Sequence, residues 1–295
     1  MDNFFDRGQL LFINPTEKER SFGTSEKGAE SFTNPQKLST LWKKKKTFQQ
    51  AFGKNRFVCY NVGMKENFCT EKYLNLVQNE FSEPFERFRK LLLEYNSRFN
   101  LTSLTEEKEI LYKHFLDSVS GESFFPAGAE VADVGAGAGF PSLPLKIVRT
   151  DLKFSLFEST GKKCEFLKKA AAELALSGVS VQNMRAEDAG RDPAFREKFD
   201  VCCARAVARL NTLAEYCLPL VKKGGRFIAY KGQAEEELKE AENAVKLLGG
   251  EVEDVLTFSL PENMGERAII VIKKVSATPK QYPRGQGKER SKPIL

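Results

Sequence analysis

Histidine is nearly missing from this chain: its 295 residues contain one, His114. The six cysteines, at positions 59, 69, 164, 202, 203 and 217, form no Cys-x-x-Cys pair. Without His or Cys clusters a zinc site has no ligand set, and no metal is expected. Cys202 and Cys203 are neighbours in a predicted strand and point to opposite faces. They read as small buried residues in a reducing compartment rather than as ligands. No stretch is apolar over the ~20 residues a membrane span needs. The N-terminus carries Asp2 and Asp6 and no basic stretch ahead of an apolar run, so a secretory leader is not expected. A cytoplasmic protein that does not enter a membrane is the expectation. No internal repeat is visible.

Apolar residues make up 41% of the chain, enough for a globular core. The net charge of +6 is uneven. Residues 1–63 carry +5 and residues 276–295 carry +4, leaving the middle at −3. Basicity therefore sits at the ends, and bulk charge does not mark a nucleic-acid groove on the core. The C-terminal stretch holds Lys280, Arg284, Lys288, Arg290 and Lys292 among prolines and glycines. Such a segment suits phosphate contacts, or is simply a solvated terminus.

The most informative segment runs from Val131 to Leu145. A short apolar strand ends near an acid, Asp133. Gly135, Gly137 and Gly139 follow at every second position, and an apolar helix then begins at a proline. Strand, tight turn and helix start form a device for binding a nucleotide-like group. A dinucleotide fingerprint places glycines at the first, third and sixth positions of the turn. Here the sixth is Phe140. A nucleoside-containing ligand without phosphates, such as S-adenosylmethionine, fits better than a pyrophosphate. Glu158 ends the next predicted strand, 19 positions after Gly139, where a ribose-binding carboxylate belongs. The plain alternative is a solvated strand end.

Four regions are expected. Residues 1–63 show little periodicity and read as a weakly ordered extension, with Met64 a candidate natural start. Residues 64–125 form a helical cap: Leu74, Val77, Phe81, Phe85, Phe88, Leu92 and Tyr95 recur at helical steps, and Pro84 opens a new helix after Ser82. A further short helix is expected over about 106–115. Residues 126–275 alternate strands and helices. The strands are predicted at 130–134, 153–158, 180–184, 199–204, 226–231, 251–260 and 268–273. The helices are predicted at 140–148, 162–176, near Pro193, at 212–221 and at 234–248. Such alternation builds a mostly parallel, seven-stranded α/β sheet with a final antiparallel strand. Residues 276–295 form a basic tail.

In an open α/β sheet, ligands bind outside the carboxyl ends of the strands. The residues expected there are the glycine turn, Glu158, Arg185 to Asp188, Arg205 to Arg209, and Lys231. Glu187 suits an exocyclic purine amine, with nearby backbone N–H groups for ring nitrogens. Of Arg205 and Arg209, Arg205, at the strand end, is the active-site candidate. Arg209 and Lys231 suit a phosphate or are simply exposed. His114 is expected to position the cap. The crevice shows no general base.

Several stretches together resemble the bacterial 16S ribosomal RNA guanine-N7 methyltransferase family, also called the glucose-inhibited division protein B family. They are Asn100 to Ser103, His114 to Ser118, Asp133 to Pro141, Glu158 with Lys162 and Lys163, Arg185 to Glu187, Ala204 to Leu210, Lys231 with Gly232, and Tyr282 to Arg284. They run in order from about Glu71 to the C-terminus. The resemblance implies a class I methyltransferase (Rossmann-like) fold. It implies S-adenosyl-L-methionine bound by Gly135, Gly137, Phe140, Glu158, Ala186, Glu187 and Arg205. It also implies a guanosine of 16S RNA, free or within the 30S subunit, methylated at N7, with Arg209, Lys231 and Arg284 as candidates for RNA contacts and Arg205 for an RNA phosphate or the cofactor carboxylate. Ala136 and Ser142 depart from the family's usual residues but stay small. The rival readings are a class I methyltransferase acting on a small molecule or protein, a nicotinamide-dependent oxidoreductase, and a non-catalytic RNA-binding protein.

Overall fold

Seven strands, β1 (Glu130–Val134), β2 (Lys153–Glu158), β3 (Val179–Asn183), β4 (Phe199–Arg205), β5 (Val221–Lys231), β6 (Gly250–Ser259) and β7 (Glu266–Lys274), form one sheet. Their order is 3-2-1-4-5-7-6. Strands β1 to β5 run parallel, and β7 lies antiparallel between β5 and β6. This is a computed structural model, and it describes residues 70–295; the expectations for residues 1–63 and for Met64 lie outside the described residues.

The strands alternate in the face they bury, as a two-residue period requires. Val131 and Val201 face one core, and Ala132 and Cys202 the other. The second face is covered by α6 (Ala186–Arg191), α7 (Leu210–Cys217) and α8 (Glu235–Leu247). The first is covered by α4 (Ser142–Val148), α5 (Gly161–Glu173) and the cap. In the cap, α1 (Thr70–Asn75) runs into a π-helical stretch, Leu76–Glu80, followed by α2 (Ser82–Phe99). Helix α3, residues 107–119, has α-helical ends around π-helical Ile110–Leu116. Phe85, Phe88 and Leu92 of α2 pack into the same apolar cluster as Val131 and Phe154 of the sheet, so cap and sheet share a core.

Most expected elements are present, with shifted ends. The helix expected near Pro193 lies earlier, at Ala186–Arg191, because Pro193 cannot continue a helix and Asp192 is already extended. Helix α4 starts at Ser142 rather than Phe140, after the glycine turn has closed. Helix α7 starts at Leu210 and stops at Cys217, two residues before Pro219. Strand β5 begins five residues early, at Val221, through a segment with no apolar pattern.

The basic tail is not a solvated terminus. It ends in a short helix, α9 (Lys288–Ser291), and Thr278, Pro283, Gly285 and Glu289 are buried. Among the described residues no helix is long and apolar enough to cross a membrane.

Candidate functional site

The parallel strands point their carboxyl ends at one edge of the sheet, and the turn after β1 lies there. Gly135 and Ala136 donate their N–H groups to the Phe157 carbonyl of β2, at 2.9 and 3.3 Å, which holds the turn against its neighbour. All three glycines have positive φ (70°, 57° and 90°), a region costly for residues with a Cβ. Their surroundings differ. A Cβ on Gly135 would lie 2.6 Å from Val207 Cγ2, and one on Gly139 would lie 2.5 Å from Leu143 Cδ1. These two glycines are fixed by protein packing. A Cβ on Gly137 would meet only the Gly135 carbonyl oxygen, at 3.7 Å, so this glycine leaves its backbone open to a ligand.

Glu158 ends β2 beside that opening and is nearly buried. Its Oε2 accepts from the Gly137 N–H at 3.0 Å, and its Oε1 accepts from the Thr160 N–H at 2.8 Å. A carboxylate has about four acceptor positions, so roughly two remain for hydroxyl groups of a ligand. Asp133 lies beneath the turn, fully buried. One of its oxygens accepts from the Ser142 hydroxyl, and Oδ1 has no partner. Burial pushes its carboxyl up to about 7, against the pull of Ser142 and Arg205.

Glu187 opens α6, the helix that follows β3, and is buried. The first N–H groups of any helix lack partners within it, so Ala186 and Glu187 offer donors next to a carboxylate. An open recess lined by Ser159, Thr160, Asn183, Met184, Arg185 and Asp188 adjoins them. An acid, a glycine backbone and a second acid thus follow the ends of adjacent strands, as a nucleoside requires.

Arg205 and Phe140 both have partners within the protein. The Arg205 Nη1 pairs with Asp117 at 2.9 Å and donates to the Lys113 carbonyl at 3.1 Å. Its Nη2 lies 3.1 Å from His114 Nδ1. The guanidinium also lies over the Phe140 ring, 4.9 Å from its centroid. Phe140 in turn contacts Phe88, with centroids 5.3 Å apart, and is nearly buried. What Phe140 offers a ligand is its main chain. Arg205 binds the end of β4 to the cap.

All three RNA-contact candidates have protein partners. Lys231, nearly buried, donates to the Ala208 carbonyl at 2.7 Å and pairs with Glu237 at 2.6 Å. Arg284 pairs with buried Glu215 at 2.7 Å. Arg209 is exposed and pairs with Glu240 at 2.7 Å. Arg267 and Glu215 escaped sequence reasoning, and Asp117 entered it only within the stretch His114 to Ser118. Arg267 Nε lies 3.4 Å from Asp117, so two guanidinium groups flank that acid. Only their charge inside apolar surroundings could have drawn notice. No group of three or more His, Cys, Asp or Glu among the described residues is placed to hold a metal.

A sheet ordered 3-2-1-4-5-7-6 with its seventh strand reversed, bearing a glycine turn flanked by acids after β1 and β2, defines a class I methyltransferase. The family described as "rRNA small subunit methyltransferase G" matches residues 82–269. A protein named Ribosomal RNA small subunit methyltransferase G from Brevibacillus brevis is 48% identical over 216 residues, covering 72% of this chain and 91% of that one. Its namesake from Lactobacillus acidophilus is 49% identical over 218 residues, covering 72% and 90%. The chain belongs to the rRNA small subunit methyltransferase G family.

Proposed function

We propose that this protein transfers a methyl group from S-adenosylmethionine to N7 of a guanosine in 16S ribosomal RNA, in the cytoplasm. The observation that carries the cofactor part is the bond from Gly137 N–H to Glu158, which sets an open backbone beside a carboxylate. Glu158 suits the ribose hydroxyls. Glu187 and the N–H groups of Ala186 and Glu187 suit the base. The backbone of Gly135, Gly137 and Phe140 suits the rest of the donor. Glu158 makes the floor acidic, which favours a cation. Arg205 acts on this site by holding the cap, with Asp117 neutralising its charge.

When bound, S-adenosylmethionine supplies a methyl group carried on a sulfonium. Guanine N7 has an in-plane lone pair and no proton, so the acceptor needs no general base. The chain's task is placement, and well-oriented reactants account for about 7–11 kcal/mol of a barrier. Arg209 and the exposed tail residues Lys280, Lys288 and Lys292 are the candidates for RNA phosphates. Transfer of labelled methyl to 30S subunits and to free 16S RNA tests the reading. N7-methylguanosine at one position is the expected product. Label in a protein or a free metabolite, with none in RNA, would favour the small-molecule or protein alternative.

A further inference from the structure

The helix that presents Glu187 is gripped from outside by the end of the chain. Helix α6 has six residues, too few to persist alone in water. Its last residue, Arg191, donates from Nε to the Pro283 carbonyl at 2.9 Å and from Nη2 to the Arg284 carbonyl. The approach is close on both sides. A Cβ on Gly190 would lie 3.0 Å from Pro283 Cγ, and a Cβ on Gly285 would run into the Arg191 guanidinium. Gly285, Gln286 and Gly287 all have positive φ, at 74°, 60° and 73°. This left-handed turn brings Gln286 and Gly287 to one recess with Arg185, Glu187 and Asp188.

The gripping segment is itself anchored. The Arg284 backbone N–H and Nε donate to Glu215 Oε1 at 2.8 and 2.9 Å, and the Glu215 side chain is 1% exposed. Arg196 Nη1 joins the two parts, donating to the Gly190 carbonyl at 2.7 Å and the Tyr282 carbonyl at 2.8 Å. Glu289 is buried, accepts from the Gly285 N–H, and gives its carbonyl to the Thr212 hydroxyl at 2.9 Å. So many directed bonds exceed what a tail needs merely to be tethered.

We propose that residues 278–291 form a positioning element of the methyl-donor site, clamping α6 so that Glu187 meets the base of the donor. This deepens the cofactor reading above and rests on it. Arg284 then acts through Glu215 and the chain turn, not through an RNA phosphate.

The test titrates S-adenosylhomocysteine calorimetrically into the full chain and into Gly285→Ala and Arg191→Gln. Gly128→Ala is the control, since Gly128 also has positive φ (68°) but a Cβ there meets nothing within 4 Å. If loss of the clamp leaves α6 competent for about a tenth of the time, apparent donor affinity falls about tenfold. The KM for the donor rises by the same factor, while kcat at saturating donor and the melting temperature stay close to those of the control. Unaltered affinity in both clamp variants, with the parent chain binding normally, overturns the proposal. So does a loss confined to RNA affinity. Absence of binding in the parent chain overturns the cofactor reading instead. Should Gly285→Ala fail to fold, Arg191→Gln, which leaves the backbone unaltered, decides the matter.

Discussion

The ring of His114 lies over the ring of Phe140, with centroids 4.2 Å apart and planes 13° from parallel. The stack joins the π-helical segment of α3 to the loop after the glycine turn. A guanidinium only donates, so His114 Nδ1 accepts from Arg205, and Nε2 carries the proton toward Thr102 Oγ1 at 2.8 Å. Burial, and then the Arg205 charge, lower His114 to about 3. The ring is neutral at neutral pH and serves as a spacer between the cap and the site.

Two buried groups give stability opposite pH trends. The folded pKa of His114 lies below its ordinary value of 6.5, so its contribution is present above that pH and is lost as pH falls toward about 3. The folded pKa of Asp133 is raised from 3.8 to about 7, so its contribution is present below 3.8 and is lost as pH rises through 7. Urea unfolding between pH 4 and 8 separates them. The advantage of the parent over His114→Gln should shrink on acidification below 6.5. Asp133→Asn should gain on the parent as pH rises from 4 to 7. Trends of the opposite sign would contradict these environments.

Arg205→Ala should cost about 3 kcal/mol, the low end for breaking a buried pair, since it removes the nearer partner of Asp117 and leaves Arg267 at 3.4 Å. Arg205→Lys should rescue little, because one ammonium cannot span Asp117, His114 and the Lys113 carbonyl while lying over Phe140. Chemical denaturation measures both, and hydrogen exchange should show α3 loosening first. A loss below about 1 kcal/mol, the range of exposed pairs, would remove Arg205 as the cap's anchor.

The fold was legible where structure is local. Strands β1 and β2 were bounded to the residue, because each is a short apolar run closed by a turn or an acid. The glycine turn and Glu158 were legible for the same reason. The start of β5 was not, since Lys222 to Gly225 carry no alternating pattern and fall in the irregularity between the pairs Phe199–Val221 and Val201–Arg226. Arg205 and Asp117 lie 88 positions apart, and no periodicity links them. The tail read as free because its prolines and glycines imply turns, while its anchors, Arg191, Arg196 and Glu215, are on distant elements.

Gly135 and Gly137 should respond differently to alanine. Gly135→Ala drives a Cβ into Val207 as well as straining φ, so folding stability falls by more than the about 1–2 kcal/mol of a left-handed alanine. Gly137→Ala should cost no more than that strain, yet weaken donor binding. Thermal unfolding paired with donor titration distinguishes them. Equal stability losses at the two positions would contradict the packing described.

Arg209 is exposed, so replacing it by Ala should alter stability by less than about 1 kcal/mol. If it meets an RNA phosphate, the slope of log affinity against log salt should fall by roughly 0.7–0.9, the share of one phosphate contact. An unchanged slope would take Arg209 out of the RNA surface.

The most direct test of the whole reading is calorimetric titration of S-adenosylhomocysteine into the parent chain and into Glu158→Ala and Gly135→Arg. Saturable one-to-one binding by the parent is expected, weakened by at least about tenfold (about 1.4 kcal/mol) in the first variant and abolished in the second. No heat with the parent chain, or equal affinity in all three proteins, would contradict a donor site at the glycine turn.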